Sequence, residues 1–150
     1  MSKPRTRTVA FATTAEVRDT CLCLHVQRAA RALARLFDDA LRPVGLTHGQ
    51  FSLLNALNRP KPATMAQVSS LLAMDRTTLT AALKPLLRDQ LIAVTVHPDD
   101  ARARLIALTA AGHQRLATAI PIWRRTHAAL DRTLPAPRAD QLRGQLRDLG

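Results

Sequence analysis

Val94-Thr-Val-His-Pro-Asp-Asp-Ala-Arg-Ala-Arg-Leu-Ile-Ala-Leu-Thr-Ala-Ala-Gly112 is the stretch that decides the fold. Two short β-prone runs, Leu91–Val96 and Arg104–Leu108, flank a polar tip with Pro98, Asp99 and Asp100. The rest of the chain carries helical patterning. A lone hairpin is only marginally stable in water, so this one is expected to pack on helices. Its tip sets Arg102 and Arg104 beside Asp99 and Asp100. One basic hairpin on a helical protein, just after two short helices joined by a turn, is the pattern of a winged helix that grips DNA.

Those two helices are bounded by residues with defined capping chemistry. Thr64 caps Met65–Leu72, with Met65, Val68, Leu71 and Leu72 as its apolar positions. Ala73-Met74 makes a tight turn. Asp75 caps the next helix, Arg76 to Arg88, with its carboxylate placed to accept from the amide of Thr77 or Thr78. Leu79, Leu83, Leu86 and Leu87 form the expected buried stripe. Two short helices and a turn of a few residues make a helix-turn-helix. Pro85 lies inside the second helix, where it removes one hydrogen bond and predicts a kink in the C-terminal half.

Further out, Leu22, Val26, Ala29, Leu33, Leu36 and Ala40 repeat at helical spacing, which predicts one long helix from about Thr14 to Arg42. Pro43 and Gly45 end it. Thr47 caps a helix through Leu57 with Phe51, Leu54 and Leu57 facing inward, and Asn58–Pro62 is a turn. Beyond the hairpin, Thr109 caps a helix from about Ala110 to Leu134, kinked at Pro121, with Leu116, Ile120, Trp123 and Leu130 along one side. A last helix, about Arg138–Leu149, repeats Leu142, Leu146 and Leu149. The expected organisation is a flexible basic arm over residues 1–13 and one mainly α domain over 14–150. Within it, a winged helix spans about 47–109, and terminal helices span about 14–43 and 110–150.

Composition agrees. The 150 residues are 47% apolar, mostly Leu and Ala, with no Tyr. That favours helices over a β-sandwich. The formal net charge of +11 attracts polyanions, and a Lys/Arg-rich solvated surface is the bland reading of charge alone. Two cysteines, Cys21 and Cys23, make no disulfide framework, so a reducing cytosol is the expected compartment. No apolar run is long enough to span a bilayer, and no membrane partner is expected.

On the second helix of the motif, removing the leucine stripe leaves Arg76, Thr77, Thr80, Ala81 and Lys84 outward. Its N-terminal end is the part that enters a major groove. Arg76 has the geometry for a bidentate contact to guanine. Thr77 and Thr80 can bond phosphates or touch a thymine methyl, and Lys84 suits a phosphate. The expected DNA-binding set is therefore Arg76, Thr77, Thr78, Thr80 and Lys84, with Asp100, Arg102 and Arg104 from the wing. An arginine on a hairpin tip can reach a narrow minor groove, and a neighbouring aspartate can fix its geometry. The bland alternative is a solvated surface and an exposed ion pair of little worth.

Thr64-Met-Ala-Gln-Val-Ser-Ser-Leu-Leu-Ala-Met-Asp75-Arg-Thr-Thr-Leu-Thr, Leu91-Ile92, Asp99-Asp100-Ala101-Arg102 and Leu108-Thr109-Ala-Ala-Gly112, in this order, resemble the MarR family of bacterial transcription regulators. The resemblance extends to Gly45-Leu-Thr-x-x-Gln-Phe51. It implies a triangular homodimer of winged-helix domains, joined through the N- and C-terminal helices, in the cytoplasm at the nucleoid. It also implies binding to a pseudo-palindromic operator, usually repression, and release by a small phenolic ligand or by thiol oxidation. Arg102 matches the family's wing arginine and Asp100 its partner. Two departures stand out: Gln90 occupies a helix end where the family often has Gly, and Pro85 interrupts the recognition helix.

Sensing residues are less defined. Cys23 falls where the family's organic-hydroperoxide branch keeps its reactive cysteine. The matching tyrosine positions hold Phe37 and His48, and only His48 can pair with a thiolate. The alternative places Cys23 with Val26, Ala30, Leu33 and Phe37 on one apolar helix face. Cys21 and Cys23, two apart on the expected helix, point about 200° apart and are not expected to bridge within it, which leaves an intersubunit bond open. In the family picture a ligand pocket lies between the first, second and long fifth helices, with Arg28, His48, Phe51, His113 and Trp123 as candidates for an aromatic effector. Cys23, His25, His48 and His113 have no tight metal-ligand spacing, and no metal or cofactor is expected. No nucleophile elbow, no phosphate-binding Gly-rich loop and no clustered carboxylate pair in a plausible cleft is found, so an enzyme is not expected. A non-specific architectural DNA or RNA binder is the competing reading of the charge.

Overall fold

The computed structural model describes residues 7–150. Lys3 and Arg5 of the expected basic arm lie outside the described residues. The chain divides into two compact units, residues 1–36 and 37–150. The first unit contains helix α1, Phe11–Thr20, and most of α2, Leu22–Leu41. The single long helix predicted over Thr14–Arg42 is thus two helices, and the first begins at Phe11. Cys21 takes an extended conformation at φ −70°, ψ 104°, and breaks the run. It lies between the helices, so the fixed angular separation expected of Cys21 and Cys23 on one helix does not apply. Along α2, the apolar positions Leu22, Val26, Leu33 and Leu36 are exposed in the single chain.

The second unit is built on the C-terminal end of α2. A 3-10 turn, Arg42–Val44, closes on Gly45, whose φ of 68° is left-handed. Helices α3 (His48–Leu57), α4 (Met65–Leu72) and α5 (Arg76–Arg88) follow, then α6 (Ala110–Thr133) and α7 (Arg138–Arg147). Local chemistry explains these starts. Thr47 and Thr64 each form a reciprocal capping box, with Gln50 and Gln67 respectively. Asp75 and Thr109 each accept from the backbone three residues on. In the turn between α4 and α5, Ala73 is left-handed at φ 50°, and the Ser69 hydroxyl donates to the Met74 carbonyl.

A three-stranded antiparallel sheet has the order β1-β3-β2, with β1 at Ala63–Thr64, β2 at Ile92–His97 and β3 at Asp100–Leu108. The hairpin is longer than its β-prone runs, because ladder bonds carry β3 to Asp100 through polar residues. The core joins Leu53, Leu54 and Leu57 of α3, Val68 of α4, Leu79, Leu83 and Leu86 of α5, Ile106 of β3 and Leu116 of α6. Each fully buried leucine contributes about 1.5–3 kcal/mol. Leu87, expected in the buried stripe of α5, is instead 41% exposed. It lies beside Leu86 and Leu83 rather than behind them, one helical step outside the buried arc. Among the described residues no helix is long and apolar enough to cross a membrane.

Candidate nucleic-acid interface

The N-terminal end of α5 and the wing meet at one concave surface. A cleft of about 390 Å³ is lined by Arg76 of α5, by Asp100, Arg102 and Arg104 of β3, and by Thr64, Met65 and Ser69 around α4. Three arginines against one aspartate make it electropositive. Arg76, Asp100 and Arg102 are thus brought together although 24 to 26 residues separate them in sequence. The α4 contribution was missed by the sequence. Its signal was the capping box at Thr64, which marks the helix start that lines the same cleft.

The side chains that shape the site are held by hydrogen bonds. Asp75 accepts from the Thr78 amide at 2.8 Å and from the Thr78 hydroxyl at 2.6 Å. These bonds, the hydroxyl's first, hold the Asp75 carboxyl below its usual range. Thr78 therefore orders the first turn of α5 with its own hydroxyl proton. The Thr80 hydroxyl donates to the Arg76 carbonyl at 2.8 Å. Arg76, Thr77 and Lys84 are exposed along the same helix.

The wing tip is braced from within. His97 pairs with Asp100 across Pro98-Asp99, after a register shift at Val96/His97. Asp99 donates its amide to His97 Nδ1 at 3.1 Å, and Asp100 Oδ1 accepts from the Arg102 amide at 2.9 Å. Asp100 thus organises the backbone of Arg102 rather than pairing with its guanidinium. Arg104 Nη1 donates to the carbonyls of Ala101 and Ala103, at 2.9 and 3.2 Å. Arg102 makes no side-chain hydrogen bond or ion pair among the described residues.

The sensing candidates separate. Phe51 stacks on Trp123 with ring centroids 6.3 Å apart. His127, which the sequence did not single out, sits 4.9 Å from Trp123 and 6.2 Å from Phe37. It lies one turn beyond Trp123 on α6, so its role was readable only from packing. His48 is committed to Asp38, whose Oδ1 accepts its amide at 2.7 Å and lies 2.8 Å from its Nδ1. These contacts, the amide's first, lower the Asp38 pKa. His48 also lines an apolar groove of about 520 Å³ with Leu53, Leu72, Met74, Ala82 and Pro85. His113 is exposed in the first turn of α6, apart from that groove. In the other unit, Arg28 is exposed, and the exposed Cys23 accepts a hydrogen bond from Gln27 at 3.1 Å.

Comparison with known proteins places these features. A sequence profile described as MarR family matches residues 44–103, which holds the helix-turn-helix and most of the wing. The chain is 36% identical to a Mycobacterium tuberculosis transcriptional regulator, MosR, solved in complex with DNA; 86% of this chain and 92% of that one superpose at a TM-score of 0.78. A probable transcriptional regulator from Pseudomonas aeruginosa is 28% identical, over 88% and 98% of the two chains, at a TM-score of 0.79. An uncharacterized HTH-type transcriptional regulator of Staphylococcus aureus is 27% identical over 84 residues, and the match spans 56% of this chain and 58% of that relative. With its capped helix-turn-helix, its Asp100-Ala-Arg102 wing and the Leu-Thr-x-x-Gly112 that follows, the chain belongs to the MarR family of winged-helix regulators.

Proposed function

We propose that this chain is a homodimeric, sequence-specific regulator that binds double-stranded DNA. The observation that carries the reading is the convergence of Arg76 and Arg102 on one electropositive cleft. An α5 N-terminus in the major groove puts Arg76 against base edges. The same docking sets Arg102, whose guanidinium is uncommitted, at the adjacent minor groove. The similarity to MosR, solved with DNA, supports the reading. Exposed apolar positions on α2 (Leu33, Leu36) and on α7 (Leu142, Leu146) support self-association, since such surfaces mark interaction sites. Repeated selection of bound duplexes from a random pool tests the proposal. A pseudo-palindrome with half-sites about one helical turn apart is expected. A pool that stays random favours the non-specific architectural reading.

Repression, released by a small aromatic ligand, is the finer part of the proposal. The groove beside His48 has the volume and apolar lining of a small-molecule site, and it borders Ala82 and Pro85 of α5. A ligand wedged there would bear on the recognition helix. Release by oxidation of Cys23 is the competing reading. Hydroperoxide treatment of the wild type and of Cys23→Ser, beside a panel of aromatic acids, separates the two.

A further inference from the structure

Two cations lie outside the arginine cleft. Arg59 and Lys61 are exposed in the Asn58–Pro62 turn. Neither belongs to an ion pair among the described residues. With Pro60, Pro62 and Gln67 they line a second, shallower cleft of about 280 Å³. Gln67 is the third residue of α4, and its side chain accepts from the Thr64 amide at 2.9 Å. Thr64, Met65 and Ser69 line the arginine cleft. The two clefts therefore flank the first turns of the same helix.

The turn is also stiff. Pro60 and Pro62 fix φ on either side of Lys61. The Arg59 amide donates to the Leu57 carbonyl at 2.9 Å. The next residues, Ala63 and Thr64, pair with Ile106 and Leu105 of the wing strand. Arg59 and Lys61 are thus tied through β1 to the same strand that carries Arg102. When a helix-turn-helix docks, its second helix enters the groove and its first crosses the sugar-phosphate backbone. A basic turn at the start of that first helix meets phosphate.

We propose that Arg59 and Lys61 form an additional clamp on the DNA backbone, outside the bases read by α5. The inference rests on the DNA-binding reading above. Its effect is on affinity and footprint, because phosphate contacts position a protein without carrying sequence information.

The test is the salt dependence of binding, measured by fluorescence anisotropy on the selected duplex and on a random duplex. The proteins are the full chain, Arg59→Gln/Lys61→Gln and, as an equal loss of charge elsewhere, Arg124→Gln/Arg125→Gln on α6. Each phosphate contact contributes about 0.9 to the slope of log K against log salt. With two turns in the homodimer, the turn variant is expected to lose about 3.6 in slope, about 0.9 for each of four contacts, and roughly 100- to 4,000-fold in affinity near 0.1 M salt on both duplexes, keeping its preference between them. The α6 variant, with its oligomeric state matched to the wild type by analytical ultracentrifugation, is expected to keep the wild-type slope. Trimming flanking base pairs from the duplex should weaken the wild type but not weaken the turn variant further. An unchanged slope in the turn variant, or equal losses in both variants, overturns the clamp while leaving DNA recognition intact. A wild type with neither salt dependence nor preference overturns the underlying reading instead. Thermal melting confirms folding, and Arg59→Ala/Lys61→Ala repeats the measurement if the glutamine variant melts early.

Discussion

Gly112 lies directly against the backbone of Leu91: a β-carbon on Gly112 would sit 2.0 Å from the Leu91 carbonyl oxygen. That carbonyl accepts the Thr109 amide at 3.1 Å, and the Thr109 hydroxyl donates to the Gln90 carbonyl at 2.7 Å. The first turn of α6 is thereby seated on the junction between α5 and β2. The Leu-Thr-x-x-Gly pattern is, in physical terms, a cap at Thr109 and a close backbone approach at Gly112. Gly112→Ala is expected to destabilise the fold by about 1–3 kcal/mol, because backbone rather than a movable side chain occupies the space. Chemical denaturation checks this, and an unchanged midpoint would show that α6 can shift away at little cost.

Gln90 holds φ 57° at the end of α5, a conformation that glycine adopts freely and other residues adopt at a cost. Gln90→Gly should therefore stabilise by up to about 1 kcal/mol, a rise in Tm of about 2–4 °C. DNA affinity should not change, since the substitution lies at the far end of α5 from Arg76. A fall in Tm would mean that the glutamine side chain contributes more than its backbone strain removes.

Asp75 gives the recognition helix a pH dependence whose sign is fixed. Its folded pKa is lowered, first by the Thr78 hydroxyl and then by the Thr78 amide. The stabilisation is fully present above the ordinary aspartate pKa of about 3.9 and is lost as pH falls through the lower folded value. Asp75→Asn keeps an oxygen to cap the helix but cannot titrate. Its stability relative to the wild type should be constant at neutral pH, with the gap closing below about pH 4. A gap that stays constant down to pH 2 would detach the cap from the carboxylate's charge.

Arg76 and Arg102 are expected to fail in different ways. Arg76→Ala should relax sequence preference by roughly 1–3 kcal/mol at one position of each half-site. Arg102→Ala should weaken binding and lower the preference for narrow minor-groove sequence beside it. Arg104 is bonded to the carbonyls of Ala101 and Ala103, so its loss should act through the shape of the tip. Binding to duplex libraries by each variant separates these effects, and identical profiles for Arg76→Ala and Arg102→Ala would refute the division of labour.

Much of this architecture was legible because capping is local. Thr47, Thr64, Asp75 and Thr109 each start a helix where the sequence places one, and each bonds the backbone three residues on. The break at Cys21 was not legible: no proline or glycine marks it, and the apolar spacing runs through it. Strand β1 is two residues long and exists only through pairing with Ile106 and Leu105, so no periodicity announces it. Site residues followed the same rule. Arg76 and Arg102 could be found by position, whereas the commitments of Arg104 to the wing backbone and of His48 to Asp38 depend on the folded chain.

The central claim is that Arg76 and Arg102 together read sequence. The most direct measurement is competition between a selected operator and a random duplex of equal length, at fixed salt, for the wild type and Arg76→Ala. The wild type is predicted to prefer the operator by at least about 10³-fold, and the variant to lose at least about 30-fold of that ratio, roughly 1–3 kcal/mol from each of two half-sites. Equal affinity of the wild type for the two duplexes would contradict the claim.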